Sequence, residues 1–198
     1  TAGSALSAAK TLVTTEDAVK KMAAHGAMEL PTKILAYADS GAAEPSLVRY
    51  CLGLTRNLCA DDARKNRLVD DGTMQQMLGV MSAEKYAADT MLMEHGCACL
   101  AAMSLRQPQN AEKIAKCGAP EIIVKAMRRY ERAGGLQRQS ALCLRNIAGR
   151  CPELHPMLLD AGCEEVLRMA GRLQEAVDEA YGALRDLNCE VNRVKVNA

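Results

Sequence analysis

The chain has 198 residues, 49% of them apolar, and a formal net charge of +1. That is enough apolar material for a sizeable core, and too little charge to recruit nucleic acid through a global field. No apolar run approaches the ~18 residues of a membrane-crossing helix, so neither nucleic acid nor membrane is an expected partner. Trp and Phe are absent and Tyr occurs five times, so Ala, Leu, Met and Cys must fill the interior.

One helical phrase recurs along the chain. It runs Ala5 to Leu12, Cys51 to Leu58, Ala98 to Leu105, Ser140 to Ile147 and Ala180 to Leu187, each copy 40 to 47 residues after the last. Gly26, Gly72, Gly118 and Gly162 follow the first four copies, 14 to 16 residues beyond a polar anchor in the phrase. Two markers in one register define a repeat array, and this period means stacked helices. The predicted organisation is a single array. Residues 1–14 form the last helix of an upstream repeat, 15–60, 61–106, 107–149 and 150–190 are repeats, and 191–198 is a tail with no repeat after it. With no start Met, the chain is expected to be a piece of something longer. Long helices should end near residues 14, 59, 105, 149 and 188.

Each repeat reads as three helices, and 107–149 shows how. Pro108 can open a short first helix, because proline is tolerated at the first helical position. Cys117-Gly118 should end it, with glycine permitting a sharp turn. A second helix follows over Ala119 to Met127, with Ile122, Ile123, Ala126 and Met127 on a broad apolar face. Arg128 to Glu131 form its solvated end, and Gly134-Gly135 are expected to break the chain before the long third helix.

The aligned phrases assign a role to each column. The anchors are Thr11, Asn57, Ser104, Asn146 and Asp186, polar throughout and expected to face outward along one continuous groove. Next to them stand Leu12, Leu58, Leu105, Ile147 and Leu187, expected as an unbroken core column. Six before the anchor are only small residues, Ala5, Cys51, Ala98, Ser140 and Ala180, which let neighbouring helices approach closely. Just before the anchor stand Lys10, Arg56, Met103, Arg145 and Arg185, four of the five basic, with a spacing of about 10 Å between stacked helices.

Other constellations are bland. Cys51, Cys99 and Cys143 lie inside the phrase, and Cys117 and Cys163 flank the glycine, so they read as small hydrophobes in a reducing compartment. Cys97 and Cys99 diverge on one helix and lack a second pair at zinc spacing; no metal or cofactor is expected. Glu16-Asp17 and Asp61-Asp62 begin first helices, where the helix dipole favours negative charge. His25, His95 and His155 share no column. Phosphate-loop and nucleophile motifs are missing, which points away from an enzyme.

Leu144-Arg145-Asn146-Ile147 followed by Leu158-Leu159-Asp160-Ala161-Gly162 resembles the armadillo repeat, as does Leu54-Thr55-Arg56-Asn57-Leu58 followed by Asp71-Gly72. The resemblance covers essentially the full length and implies an all-α, right-handed α-solenoid with three helices per repeat. It also implies extended-peptide binding along the third helices, where an Asn ladder pairs with peptide backbone. Asn57 and Asn146 occupy ladder places; Thr11, Ser104 and Asp186 are substitutions. Nuclear-import members carry Trp four residues before each ladder Asn, where this chain has Ser7, Gly53, Leu100, Leu142 and Gly182.

The function expected is a non-enzymatic scaffold or adaptor that binds another protein. Its candidate surface is Lys10, Arg56, Asn57, Ser104, Arg145, Asn146, Arg185 and Asp186. The basic row has two readings. It binds acidic or phosphorylated segments through arginine forks, or each base bridges an acid of the adjacent repeat, with Asp61, Asp62, Asp160 and Glu179 at hand. The alternative role is a structural part of a large assembly such as an axoneme. The implied location is cytoplasmic, including cytoskeletal or ciliary structures.

Overall fold

The computed structural model describes residues 15–191. Lys10, Thr11 and the first phrase lie outside the described residues, as does the tail beyond Val191. Among the described residues every regular element is helical. The chain divides into two compact units, Thr1–Met103 and Ser104–Ala198.

The first unit opens with α1 (Glu16–Ala24), a 3-10 turn (Ala27–Glu29), α2 (Leu30–Asp39) and α3 (Pro45–Leu58). It continues with α4 (Asp62–Asp70), α5 (Thr73–Ser82), the single turn α6 (Glu84–Ala87) and α7 (Thr90–Ser104), whose last residue falls at the division. The second unit holds α8 (Pro108–Lys116), α9 (Ala119–Arg129) and α10 (Gly134–Ala148). A 3-10 turn (Pro152–Leu154) then leads to α11 (His155–Asp160), α12 (Cys163–Ala170) and α13 (Val177–Asp186). In the first unit α2 packs on α3 and α5; in the second α10 packs on α13.

Local chemistry sets the boundaries. Thr15 caps α1, its hydroxyl oxygen accepting from the Ala18 N–H at 3.3 Å. Asp61 caps α4 by accepting from the Arg64 N–H at 2.9 Å, with Asp62 in the first turn. Truncating Asp61 to Ala should therefore cost about 1 kcal/mol in a urea unfolding curve. Pro45 and Pro108 open α3 and α8 at their first positions.

The repeated glycines all adopt the left-handed conformation, with φ of 86° to 88° at Gly26, Gly72, Gly118 and Gly162. Each is the residue before a helix or 3-10 turn, so it swings the chain between the first and second helices of a repeat. A Cβ on Gly72 would meet nothing within 4 Å. Gly72→Ala thus isolates the backbone term and should cost about 1–2 kcal/mol by chemical denaturation.

Packing follows the columns for three of the four described phrases. Leu58, Ile147 and Leu187 are buried, and so are the small residues Cys51, Ala98, Ser140 and Ala180. The third phrase departs from the expected register. Leu105 is 41% exposed, whereas Ser104 is fully buried. Ser104 is thus the structural counterpart of Leu58, and the anchor of this copy is Met103. The spacing agrees: Gly118 follows Met103 by 15 residues, as Gly72 follows Asn57.

Two further expectations change. Gly134-Gly135 do not break the chain but begin α10, and the break lies at Tyr130–Ala133. A Cβ on Gly134 would stand 2.8 Å from the Glu175 side chain, so this glycine makes room instead of a turn. Cys117, expected as a packed hydrophobe, is exposed; Cys51, Cys99, Cys143 and Cys163 are buried. Burial pushes the Cys51, Cys59 and Cys163 thiols up to about 12, which leaves them protonated and poor nucleophiles.

Candidate protein-binding surface

The candidate side chains sit on the last two turns of the third helices. In the first unit Arg56 is exposed and Asn57 half-buried. With Ala60 and Ala102 they line one side of an open hollow of about 560 Å³, and Thr15, Glu16 and Val19 of the α1 region line the other. Among the described residues no carboxylate lies within salt-bridge reach of Arg56. Its position follows from α3 itself: Leu54, Thr55 and Leu58 face the core, which turns Arg56 to the outside.

The second unit arranges the same row differently. Arg145 of α10 places Nε 3.4 Å from Asp186 Oδ2 on α13. Arg185 donates to the other oxygen of that carboxylate, Nη2 at 2.8 Å and Nε at 3.0 Å. Asp186 is thus shared by two guanidinium groups. To reach it, Arg145 crosses the bare backbone of Gly182, where a Cβ would stand 2.7 Å from its Nε. Arg145, Gly182 and Arg185 border a second hollow of about 390 Å³, together with Asp178, Tyr181 and Val191.

The anchor column does not face outward as a set. Asn146 is only 5% exposed, and Arg150 donates Nη1 to its side-chain oxygen at 3.4 Å. Ser104 is buried and stands apart from the surface; its expected place belongs to Met103, also buried. One residue before Met103 is Ala102, so the third copy carries alanine where its neighbours carry arginine. The position before the anchor is accordingly held by exposed Arg56 and half-buried Ala102 in the first unit, and by half-buried Arg145 and exposed Arg185 in the second. Of the acids available as bridges, Asp61 and Asp62 pair with Arg64 and Lys65, and Glu179 pairs with Arg138.

Sequence reasoning missed Ala102, the role of Gly182 as a floor beneath Arg145, and Asp186 as an acceptor. The glycine-to-anchor spacing carried the signal for the first. For the others the signal was Gly182 and Asp186 at i, i+4, one helical turn apart on a single face.

Among the described residues no group of three His, Cys, Asp or Glu side chains is placed to hold a metal ion. None of the described helices is long and apolar enough to cross a membrane.

No protein-family model matches the chain, and no curated protein does. Solved structures do. A designed armadillo repeat protein superposes with a TM-score of 0.79 at 17% identity, over 93% of this chain and 74% of that one. An engineered protein gives 0.81 at 18% identity, over 94% and 74%. A further designed armadillo repeat protein, solved in complex with the peptide (KR)4, gives 0.77 at 16% identity, over 94% and 75%. At these identities the likeness establishes the fold: an all-helical α-solenoid of the armadillo-repeat type.

Proposed function

We propose that this chain is a non-enzymatic protein-binding scaffold that takes an extended, acid-bearing segment on the exposed row of its third helices. The observation that carries the reading is Arg56, exposed beside an open hollow with no carboxylate in reach among the described residues. A charged group so placed contributes little to stability, and its chemistry is available to a ligand. A designed protein of the same fold was solved with a peptide bound, which supports this use of the fold. The basic character of that peptide belongs to that protein; here the first unit carries Arg56 and the second Arg145 and Arg185, which favours the opposite sign.

The test is to pan displayed random peptides on the intact chain and sequence those retained. Extended segments whose binding weakens with added salt, as an exposed charge pair must, support the scaffold. Retention of no segment overturns it.

Three finer readings belong with this proposal. The chain is one array with repeats at 15–60, 61–106, 107–149 and 150–190. Its cytosolic location rests on nine cysteines read as free thiols of a reducing compartment. And its C-terminal half resembles the end of armadillo-repeat-containing protein 6, on Cys97 to Asn110, Gly135 to Gln139, Leu144 to Asn146 and Ala183 to Cys189.

A further inference from the structure

The two units carry the same arginine but face it with different groups. In the second unit Arg145 finds Asp186 on the next third helix, 3.4 Å away across Gly182. In the first unit Arg56 holds the equivalent place on α3. There α7 offers Cys99 where α13 has Gly182, and Met103 where it has Asp186. Cys99 is buried and turned back on α3, its Sγ donating to the Leu52 carbonyl at 3.0 Å. Met103 is buried and apolar. The chain therefore repeats the guanidinium and omits its carboxylate.

The space for that carboxylate is kept open. Ala102, half-buried, ends in a methyl group where the other third helices have a long basic side chain. It lines the hollow of about 560 Å³ together with Arg56 and Asn57. Among the described residues one acid borders the hollow, Glu16, and it is already held by Lys20 at 2.8 Å. Arg56 thus borders a hollow large enough for an acidic side chain, lined also by the Asn57 amide and the small Ala102.

We propose that this hollow is a carboxylate subsite: an Asp or Glu side chain of the partner's segment seats on Arg56, in the place Asp186 takes on Arg145. The inference rests on the scaffold reading and narrows it to one residue and one ligand chemistry. A guanidinium fork presents two parallel N–H groups to the two carboxylate oxygens, which fixes both charge and orientation. Because arginine stays protonated at every accessible pH, the site responds to acid only through the ligand. Binding should fade as pH falls through the ordinary carboxylate range, near 4.

The test uses the full chain, labelled with nitrogen-15 in its arginine side chains, and an acetylated peptide alternating Glu and Ser. Its counterparts replace Glu by Gln or by phosphoserine. The Glu peptide should shift the Arg56 Nε–H resonance more than those of Arg145 and Arg185, and bind about tenfold or more tightly than the Gln peptide. Arg56→Gln should erase that preference while leaving the unfolding midpoint in place. Ala102→Glu, which sets a carboxylate into the hollow, should weaken the Glu peptide by a similar factor.

Equal binding of Glu and Gln peptides, a preference that survives Arg56→Gln, or a response confined to Arg145 and Arg185 would overturn the subsite. So would a phosphoserine peptide binding tenfold more tightly than the Glu peptide, since the site would then select phosphate. If panned segments bind without any dependence on Arg56, the subsite fails and the scaffold stands. If none binds, both fail.

Discussion

Replacing Leu58 by Ala should lower the unfolding free energy by about 2–5 kcal/mol, whereas Leu105→Ala should cost about 0.5 kcal/mol or less. The two leucines occupy the same place in the repeated phrase, so a reading by sequence alone expects equal losses. Their surroundings differ. Leu58 is fully buried at the end of α3, and removing its isobutyl group leaves a cavity that the packed helices only partly close. Leu105 is 41% exposed beyond the end of α7, beside Arg106 with its positive φ of 60°, and truncation there opens no cavity. Leu187→Ala should behave like Leu58→Ala, because Leu187 is 2% exposed. Urea midpoints at constant slope would measure all three. A large loss at Leu105 would restore the register in which Ser104 is the anchor.

That contrast shows where the sequence was informative and where it was not. The fold was legible because two physically unrelated signals kept step. The phrase reports helix packing, and the glycine reports a backbone conformation that side-chain-bearing residues avoid. Asp61-Asp62 were legible as the start of a first helix for a similar reason, since the requirement is local. The third phrase misled because α7 is apolar on nearly every side, from Leu92 through Met103. Periodicity cannot set the phase of a helix buried all round. Leucine at position 105 then completed a column by identity alone, and only the glycine spacing carried the correct phase. The surface was half legible. The row of arginines could be read as a row, but which of them meets a carboxylate depends on the neighbouring helix. Asp186 was placed in a column expected to face outward as a ladder substitution. Its role as the acceptor between Arg145 and Arg185 appears only once α10 and α13 are packed together.

Gly182→Val should destabilise the second unit by about 1–3 kcal/mol and release Arg145 from Asp186. Gly182 lies buried on α13, and its missing side chain is the channel through which Arg145 crosses. A Cβ there would stand 2.7 Å from Arg145 Nε, 2.8 Å from Cζ and 3.0 Å from Cδ. Contacts on three successive atoms mean that the middle of the side chain is obstructed, so moving the guanidinium tip alone does not relieve them. Valine also brings two γ-methyl groups and gains little helix propensity over glycine, because β-branching restricts its rotamers. Arg145 must leave, and the contact between α10 and α13 opens around it. Breaking the ion pair by itself should cost far less. Arg145 and Asp186 are 39% and 22% exposed, so Asp186→Asn should cost about 0–1 kcal/mol at moderate salt. Comparing the two variants separates packing from charge. A midpoint for Gly182→Val that matches Asp186→Asn would mean that Arg145 swings aside freely and that Gly182 is no channel.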